Sequence, residues 1–484
     1  MTSVDFILNG VVTQCEVSPD TSVLTLLREQ LGHTGTKESC ASGDCGACTV
    51  AMRDAARPDA QFSSLNACIT PAHQLQGQLL VTVEGLEQND TLHPAQQSMI
   101  ECHASQCGFC TPGIVMSLFT LHEEAPTRAP YSSDTLEAAL GGNLCRCTGY
   151  RPILDAALAM QSHAWQPPAW LGASTQATSS ADCATHVTTQ APFFARPEAL
   201  SELVELRRRF PDARLVAGAT DLWLETTQQL AELDQLIDVT RVAELRALDE
   251  GSYQQQTGWW VGAAVTYTEL EPLLARHFPA FAHLLERLGS RQIRNRGTLG
   301  GNIANASPIG DTPPVLMALG ARIELAGPAG VRTLALDEFF IDYKKTALER
   351  DEVLSRVFIP APVEGATLRV WKLSKRREDD ISAVLGAFHY VIREDVLTQV
   401  RLGFGGMAAV SKRATRAEAA LEGQPISKAS FQAAQRALAE DFTPMSDVRG
   451  SRHYREQAAA NLLERLYLTL SAPHQEVMLH AYAH

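Results

Sequence analysis

Cys40-Ala41-Ser42-Gly43-Asp44-Cys45-Gly46-Ala47-Cys48 places three thiols within nine residues, and Cys68 supplies a fourth, giving C-x4-C-x2-C-x19-C. A loop that turns three thiolates toward one point needs left-handed backbone and close approach. Gly43 and Gly46 are placed to allow both. Their N–H groups can also point at sulfur and tune a bound centre. A zinc site plus one packed cysteine is the alternative. A C-x4-C-x2-C run with interleaved glycine is seldom a zinc arrangement, so the spacing favours iron–sulfur.

Cys107, Cys110, Cys145 and Cys147 form a second set, C-x2-C followed much later by C-x-C. Each pair precedes a helical pattern with proline in its first turn, Pro112 in one case and Pro152 in the other. Two helix N-termini would then converge on four thiolates, whose negative charge the helix dipoles favour. Zinc is the rival reading of this spacing. The first quartet is similar to the plant-type ferredoxin pattern, with a shorter final gap. Cys15 and Cys102 match no ligand position and are read as packing residues; Cys183 is read as a bystander.

Outward from the quartets, residues 4–17 read as two strands around Asn9-Gly10, 22–31 as a helix ended by Gly32, and 79–83 as a strand. From 94 to about 161 the pattern is helical. Residues 163–192 lose periodicity and read as a linker. Beyond them come strands at 214–217, 236–238 and 259–265, a helix at 279–288, strands at 368–373, 382–392 and 398–405, and two helical stretches ending near 470.

Gln106-Cys-Gly-Phe-Cys-Thr-Pro-Gly113 and Gly142-Asn-Leu-Cys-Arg-Cys-Thr-Gly-Tyr150 resemble the second-cluster motifs of the molybdenum hydroxylases. That resemblance implies a multidomain α+β chain. Its parts are a β-grasp 2Fe–2S ferredoxin module at 1–86, a four-helix 2Fe–2S module at 87–162 and the linker at 163–192. An FAD-binding domain of the vanillyl-alcohol-oxidase/CO-dehydrogenase type follows at 193–364, and a C-terminal α+β flavoprotein domain at 365–475. Leu215-Val-Ala-Gly-Ala-Thr-Asp-Leu222 and Gly297-Thr-Leu-Gly-Gly-Asn302 are Gly-rich turns without a G-x-G-x-x-G fingerprint, and could cradle a pyrophosphate or be ordinary tight turns. The resemblance assigns the pyrophosphate to Leu215, Val216, Ala217, Gly218, Ala219, Thr220, Asp221 and Leu222 with Thr298, Leu299, Gly300, Gly301 and Asn302. It assigns the ribityl or ribose to Asp311, and the isoalloxazine flanks to Leu354 and Lys372. Lys372-Leu-Ser-Lys-Arg-Arg-Glu-Asp-Asp-Ile381, otherwise an ordinary solvated charge run, resembles the loop beside the flavin where NAD+ binds in xanthine-oxidising members. Arg376 and Asp379 are its candidates.

Of 484 residues, 45% are hydrophobic and 20% charged, an ordinary globular balance. Net charge is −14, and no long basic run survives, so nucleic acid is not expected as a partner. No signal peptide or bilayer-length apolar run is evident, and a cytoplasmic location is expected, in which eleven cysteines serve as ligands or packing rather than disulfides. The family's molybdopterin domain does not fit after residue 470, so the resemblance implies a separate large subunit and a heterotetramer of two small and two large subunits. Two 2Fe–2S clusters would pass electrons from purine hydroxylation to FAD and on to NAD+. The alternatives are the same role with an aldehyde or another N-heterocycle, or a non-catalytic iron–sulfur scaffold.

Overall fold

The computed structural model describes residues 2–124, 130–172, 192–377 and 379–472. It divides into two compact units, the first holding residues 1–242, 266–268 and 289–297, the second the remainder.

In the first unit, β1 (Thr2–Leu8), β2 (Val11–Val17), β3 (Thr49–Asp54), β4 (Ser63–Asn66) and β5 (Gln78–Val81) form one sheet in the order β2-β1-β5-β3-β4. β1 and β2 pair antiparallel across Asn9 and Gly10, both left-handed at φ 51° and 86°, as the turn demands. β1 runs parallel to β5, which makes the sheet mixed. Side chains alternate between two buried faces. Phe6, Leu8, Val50, Met52 and Leu80 enter one core, and Ile7, Ala51, Leu79 and Val81 enter another. β3 and β5 are accordingly buried along nearly their whole length, whereas the edge strand β2 leaves Val11 and Val12 exposed.

The first core takes Val23, Leu26 and Leu27 from a short helix that Ser22 caps and Gly32 follows at φ 72°. It also takes Phe194, Val216, Trp223 and Leu236, from a parallel sheet of β6 (Phe193–Ala195), β7 (Arg214–Val216) and β8 (Gln235–Asp238) and the helix Trp223–Gln229. Residues 193–242 thus share a core with the ferredoxin module. The second core belongs to helices α1 (Pro94–Glu101), α2 (Thr111–Glu124), α3 (Ser133–Leu140) and α4 (Arg151–Ala159). The stretch expected as a linker begins with packed residues. Trp165, Trp170 and Leu171 pack on this core, and Arg53 Nη2 donates to Leu171 O at 2.8 Å. The rest of that stretch, with Cys183, lies outside the described residues.

The second unit holds an antiparallel sheet of β9 (Leu248–Tyr253), β10 (Gln256–Gly262), β11 (Arg322–Gly327), β12 (Gly330–Ala335) and a strand at Val353–Pro360, which lies between β11 and β10. A four-stranded antiparallel sheet follows, built on Ala366–Leu373, Val384–Arg393, Val396–Gly405 and Lys412–Arg413. Helices Thr415–Leu421, Lys428–Asp441 and Arg452–Ser471 cover it around a core that includes Phe388, Phe404 and Phe431. Strand β10 begins three residues earlier than expected and ends at Gly262. β9 and β12 gave no strand signal, because both carry mostly partly or fully exposed side chains. Among the described residues, no helix is long and apolar enough to cross a membrane.

Candidate functional site

All four thiols of the first quartet converge. Cys40 is hydrogen-bonded to Cys45 and Cys68, and Cys68 also to Cys48. The loop that carries them turns through left-handed Ala41, Gly43 and Gly46, so both glycines meet the need inferred from sequence. Asn66 Nδ2 ties the loop by donating to Gly43 O at 2.8 Å, and the Ser42 N–H lies 3.4 Å from Cys40 Sγ. Thiol donors from Cys45 and Cys68 hold the Cys40 pKa well below the ordinary thiol range. Donation to Cys40, then to Cys48, together with burial, raises Cys68. Four thiols so close favour one thiolate served by protonated neighbours. A soft metal would displace the remaining protons.

In the second quartet Cys107 pairs with Cys147 and Cys110 with Cys145. Cys110 directly precedes α2, with Pro112 in its first turn; Cys147 lies just before α4, which has Pro152 at its start. Burial, with Cys145 adding to it, pushes the Cys110 thiol up to about 12. Cys107 and Cys147 are exposed, whereas Cys48 and Cys68 are buried. All eight ligand candidates are free thiols, a donor set that fits two four-thiolate iron–sulfur centres. Cys15 is buried beside Val17, as a packing residue should be.

The two ligand loops touch. Leu144 N–H donates to Cys45 O at 2.9 Å, and Asn143 Nδ2 to Gly46 O at 3.1 Å. A Cβ on Gly46 would lie 2.2 Å from Gly142 O, and one on Gly113 would lie 2.1 Å from Gly46 O. Asn143 was visible only as part of a motif. Gln292, which reaches the same place from residues 289–297, carried no sequence signal at all, because its partners Thr49, Ser117 and Asn143 are far away in the chain.

Among the flavin candidates, residues 215–222 lie in the first unit. β7 ends at Val216, Ala219 is left-handed at φ 64°, and a Cβ on Gly218 would collide with Arg296 O. The turn thus presents backbone flanked by small residues, which fits a pyrophosphate. In the second unit, Thr298 caps the helix Leu299–Ala304 by accepting from Gly301 N–H, Gly300 packs against Ala263, and Gly301 is exposed. Leu354 is buried on its strand. Asp311 and Lys372 come together: Lys372 Nζ lies 2.8 Å from Asp311 Oδ2 and 2.9 Å from Arg287 O, and Ser382 Oγ donates to Asp311 Oδ1 at 2.5 Å. Lys372 is only 4% exposed and stands apart from the solvated run it begins. Arg287 grips that run through Lys372 O, Ser374 Oγ and Arg377 O. Arg376 is exposed, with its N–H on Asp380 Oδ2 at 2.8 Å; Asp379 is left-handed at φ 46°.

His93, His122 and Glu123 bring three ligand atoms within 4.8 Å. His93 Nδ1 accepts the Ala95 N–H, however, which leaves the ring proton on Nε2, the atom a metal would need. Within the cluster His122 Nδ1 and Glu123 Oε1 are hydrogen-bonded at 3.1 Å, and His93 Nε2 stands 3.9 Å from Glu123 Oε1.

Four family models tile the chain. A 2Fe–2S iron–sulfur cluster binding domain matches residues 6–73, and a 2Fe–2S binding domain matches 82–158. The FAD binding domain in molybdopterin dehydrogenase matches 186–362, and the CO dehydrogenase flavoprotein C-terminal domain matches 369–470. Xanthine dehydrogenase of Drosophila subobscura is 32% identical over 96% of this chain and 39% of its own length. Xanthine dehydrogenase/oxidase of Gallus gallus is 33% identical over 96% and 40%. The chain therefore spans about two-fifths of these relatives. A carbon monoxide dehydrogenase chain of Hydrogenophaga pseudoflava is 29% identical at a TM-score of 0.53, over 56% of this chain and 94% of its own. A chain of quinoline 2-oxidoreductase from Pseudomonas putida 86 is 29% identical at 0.52, over 58% and 98%. Four domain families in this order, filled by two thiol quartets and two Gly-rich turns, place the chain in the molybdenum hydroxylase family, as the portion that carries its two 2Fe–2S clusters and FAD.

Proposed function

We propose that the chain relays electrons from purine hydroxylation on a molybdopterin-bearing partner, through two 2Fe–2S centres, to FAD and then to NAD+. The observation that carries this is the direct hydrogen bond between the two ligand loops, Leu144 N–H to Cys45 O. Two thiol quartets built to touch are arranged for exchange between their centres rather than for two independent structural metals. The bound groups supply one-electron steps at the clusters and a change from one- to two-electron chemistry at the flavin. The protein's part is to hold them. Cys40, Cys45, Cys48 and Cys68 would ligate one cluster, and Cys107, Cys110, Cys145 and Cys147 the other. Residues 215–222 and 298–302 would bind the FAD pyrophosphate, Asp311 the ribityl or ribose, with Leu354 and Lys372 beside the ring.

The second quartet is the better candidate to face the partner. Exposed Cys107 and Cys147 are accompanied by exposed apolar Phe109, Leu144 and Tyr150, a composition suited to a subunit interface. A heterotetramer of two such pairs is proposed from the family resemblance, and a reducing cytoplasm fits eight free thiols. Similarity to the xanthine dehydrogenases supports xanthine or hypoxanthine as substrate. Similarity to the quinoline 2-oxidoreductase chain supports, as a second reading, an N-heterocycle other than a purine.

Arg376 and Asp379 are assigned to NAD+ and the flavin edge. A charge at contact distance is worth up to ~4 kcal/mol at an effective dielectric of ~20, enough to alter acceptor choice. The test is the copurified complex, assayed for xanthine-dependent NADH formation. Asp379→Ala should lower it at least about tenfold, the equivalent of ~1.4 kcal/mol, while oxidation with an artificial acceptor tapped before the flavin survives. Absence of NADH formation from any purine would refute the substrate reading. Equal loss with both acceptors would refute the role of Asp379.

A further inference from the structure

Between the two ligand loops lies a junction of four buried polar side chains that ligate nothing: Thr49, Ser117, Asn143 and Gln292, each no more than 3% exposed. Gln292 Nε2 stands 3.2 Å from Thr49 Oγ1, Ser117 Oγ and Asn143 Oδ1, and shares its two protons among them. Ser117 Oγ donates onward to Asn143 Oδ1 at 2.6 Å. Thr49 Oγ1 at 2.7 Å and Asn143 Nδ2 at 3.1 Å both donate to Gly46 O. The donors therefore run from Gln292 toward one carbonyl, next to Cys45. The following residue, Leu144, grips the carbonyl of Cys45 itself. Asn143 and Leu144 thus hold two successive peptide groups of the first ligand loop, by side chain and by main chain.

Stability alone does not ask for this arrangement. Apolar side chains would fill the same space without desolvating two amides and two hydroxyls. Among the described residues Gln292 Oε1 accepts no hydrogen bond, and it abuts Gly142, where a Cβ would stand 2.4 Å away. An orphaned buried acceptor is tolerated where position matters more than stability. The short helix that carries Gln292 is pinned to both modules, through Arg291 to Glu124 Oε1 at 2.6 Å and through Asn295 Nδ2 to Ser64 O at 2.9 Å.

We propose that Asn143 and Gln292 are positioning residues for electron exchange between the two centres, fixing the separation and orientation of the Cys45 and Cys145 loops. The step moves one electron, so that one centre is oxidised as the other is reduced. No bond forms or breaks, and no proton moves. The inference rests on the two-cluster reading.

The test uses the full chain with both clusters assembled. Iron content and the separate paramagnetic resonance signal of each reduced centre come first. Wild-type protein lacking two such signals would refute the two-cluster reading and not the role of the junction. In Gln292→Met and Asn143→Leu, both signals should persist, the mutual splitting at full reduction should weaken, and equilibration after rapid one-electron reduction should slow. Ser117→Ala, the mildest cut, should give a smaller change in the same direction, and keeps the test open if Asn143→Leu fails to fold. Arg291→Met removes one tie of the same short helix and leaves the four junction side chains in place, so it should change splitting and equilibration less than Gln292→Met does. The proposal is overturned if Gln292→Met and Ser117→Ala both leave them unchanged, or if Arg291→Met alters them as much.

Discussion

The eight cysteines proposed as ligands stand out as single residues because their spacing is local and thiolate chemistry tolerates few other readings. Lys372 does not. It opens a run of charges, and only its placement against Asp311 separates a buried ion pair from a solvated one. His73 was equally silent. Its ring is 2% exposed, stacks on Phe194 at 4.3 Å, and sets Nε2–H on Ser18 O at 3.1 Å. Burial, aided by nearby Arg196, pulls its pKa from 6.5 to about 4. Between those values the unfolded chain binds a proton that the folded chain refuses, so stability contributed by neutral His73 falls as pH drops from 6.5 toward 4. The full effect is about 3 kcal/mol. His73→Gln keeps a donor for Ser18 O and removes the titration. Denaturant unfolding from pH 7 to 4 should show a shallower loss for the variant, and parallel curves would exclude the assignment.

At the scale of elements, periodicity found the helical stretch from 94 to 161, the helix at 279–288 and the C-terminal strands and helices, and missed the buried strands β3, β11 and Val353–Pro360 as well as the exposed β9 and β12. β9 and β12 read as surface because much of each is surface. α2 gives the clearest conflict between local preference and packing. Its Gly113 weakens the helix by about 1 kcal/mol relative to alanine, yet a Cβ there would stand 2.1 Å from the backbone oxygen of Gly46. That neighbour is main chain held by three hydrogen bonds, so it cannot yield as a side-chain tip would. Overpacking of this kind costs about 1–3 kcal/mol, and should outweigh the gain in propensity. Gly113→Ala is therefore expected to lower the melting temperature although it improves the helix. A variant more stable than wild type would mean that α2 and the first ligand loop do not approach so closely.

For the molecule as a whole, sequence patterning separated modules where composition changed, but not where a core is shared. Residues 193–242 join the ferredoxin core through Phe194, Val216, Trp223 and Leu236, and Gln74 Nε2 donates to Ala217 O at 2.8 Å. A contact of that kind links segments some 140 residues apart, and no local pattern announces it. The consequence can be measured. All eleven cysteines precede residue 184, so no thiolate centre can form in the second unit. In the first unit each quartet joins distant stretches of chain: residues 40–48 to 68, and 107–110 to 145–147. Metal bound by four thiolates acts as a cross-link, and its binding free energy adds to folding on the scale of ~10 kcal/mol seen for structural metal sites. Stripping iron by oxidation and chelation should thus lower the calorimetric transition of the first unit by many degrees, while that of the second stays within a few degrees of its original temperature. Because ligation requires deprotonated thiols, iron should also be lost more readily as pH falls. Transitions that fall together on stripping would show that the two units unfold as one, and would place the thermal weak point of the second unit in the clusters as well.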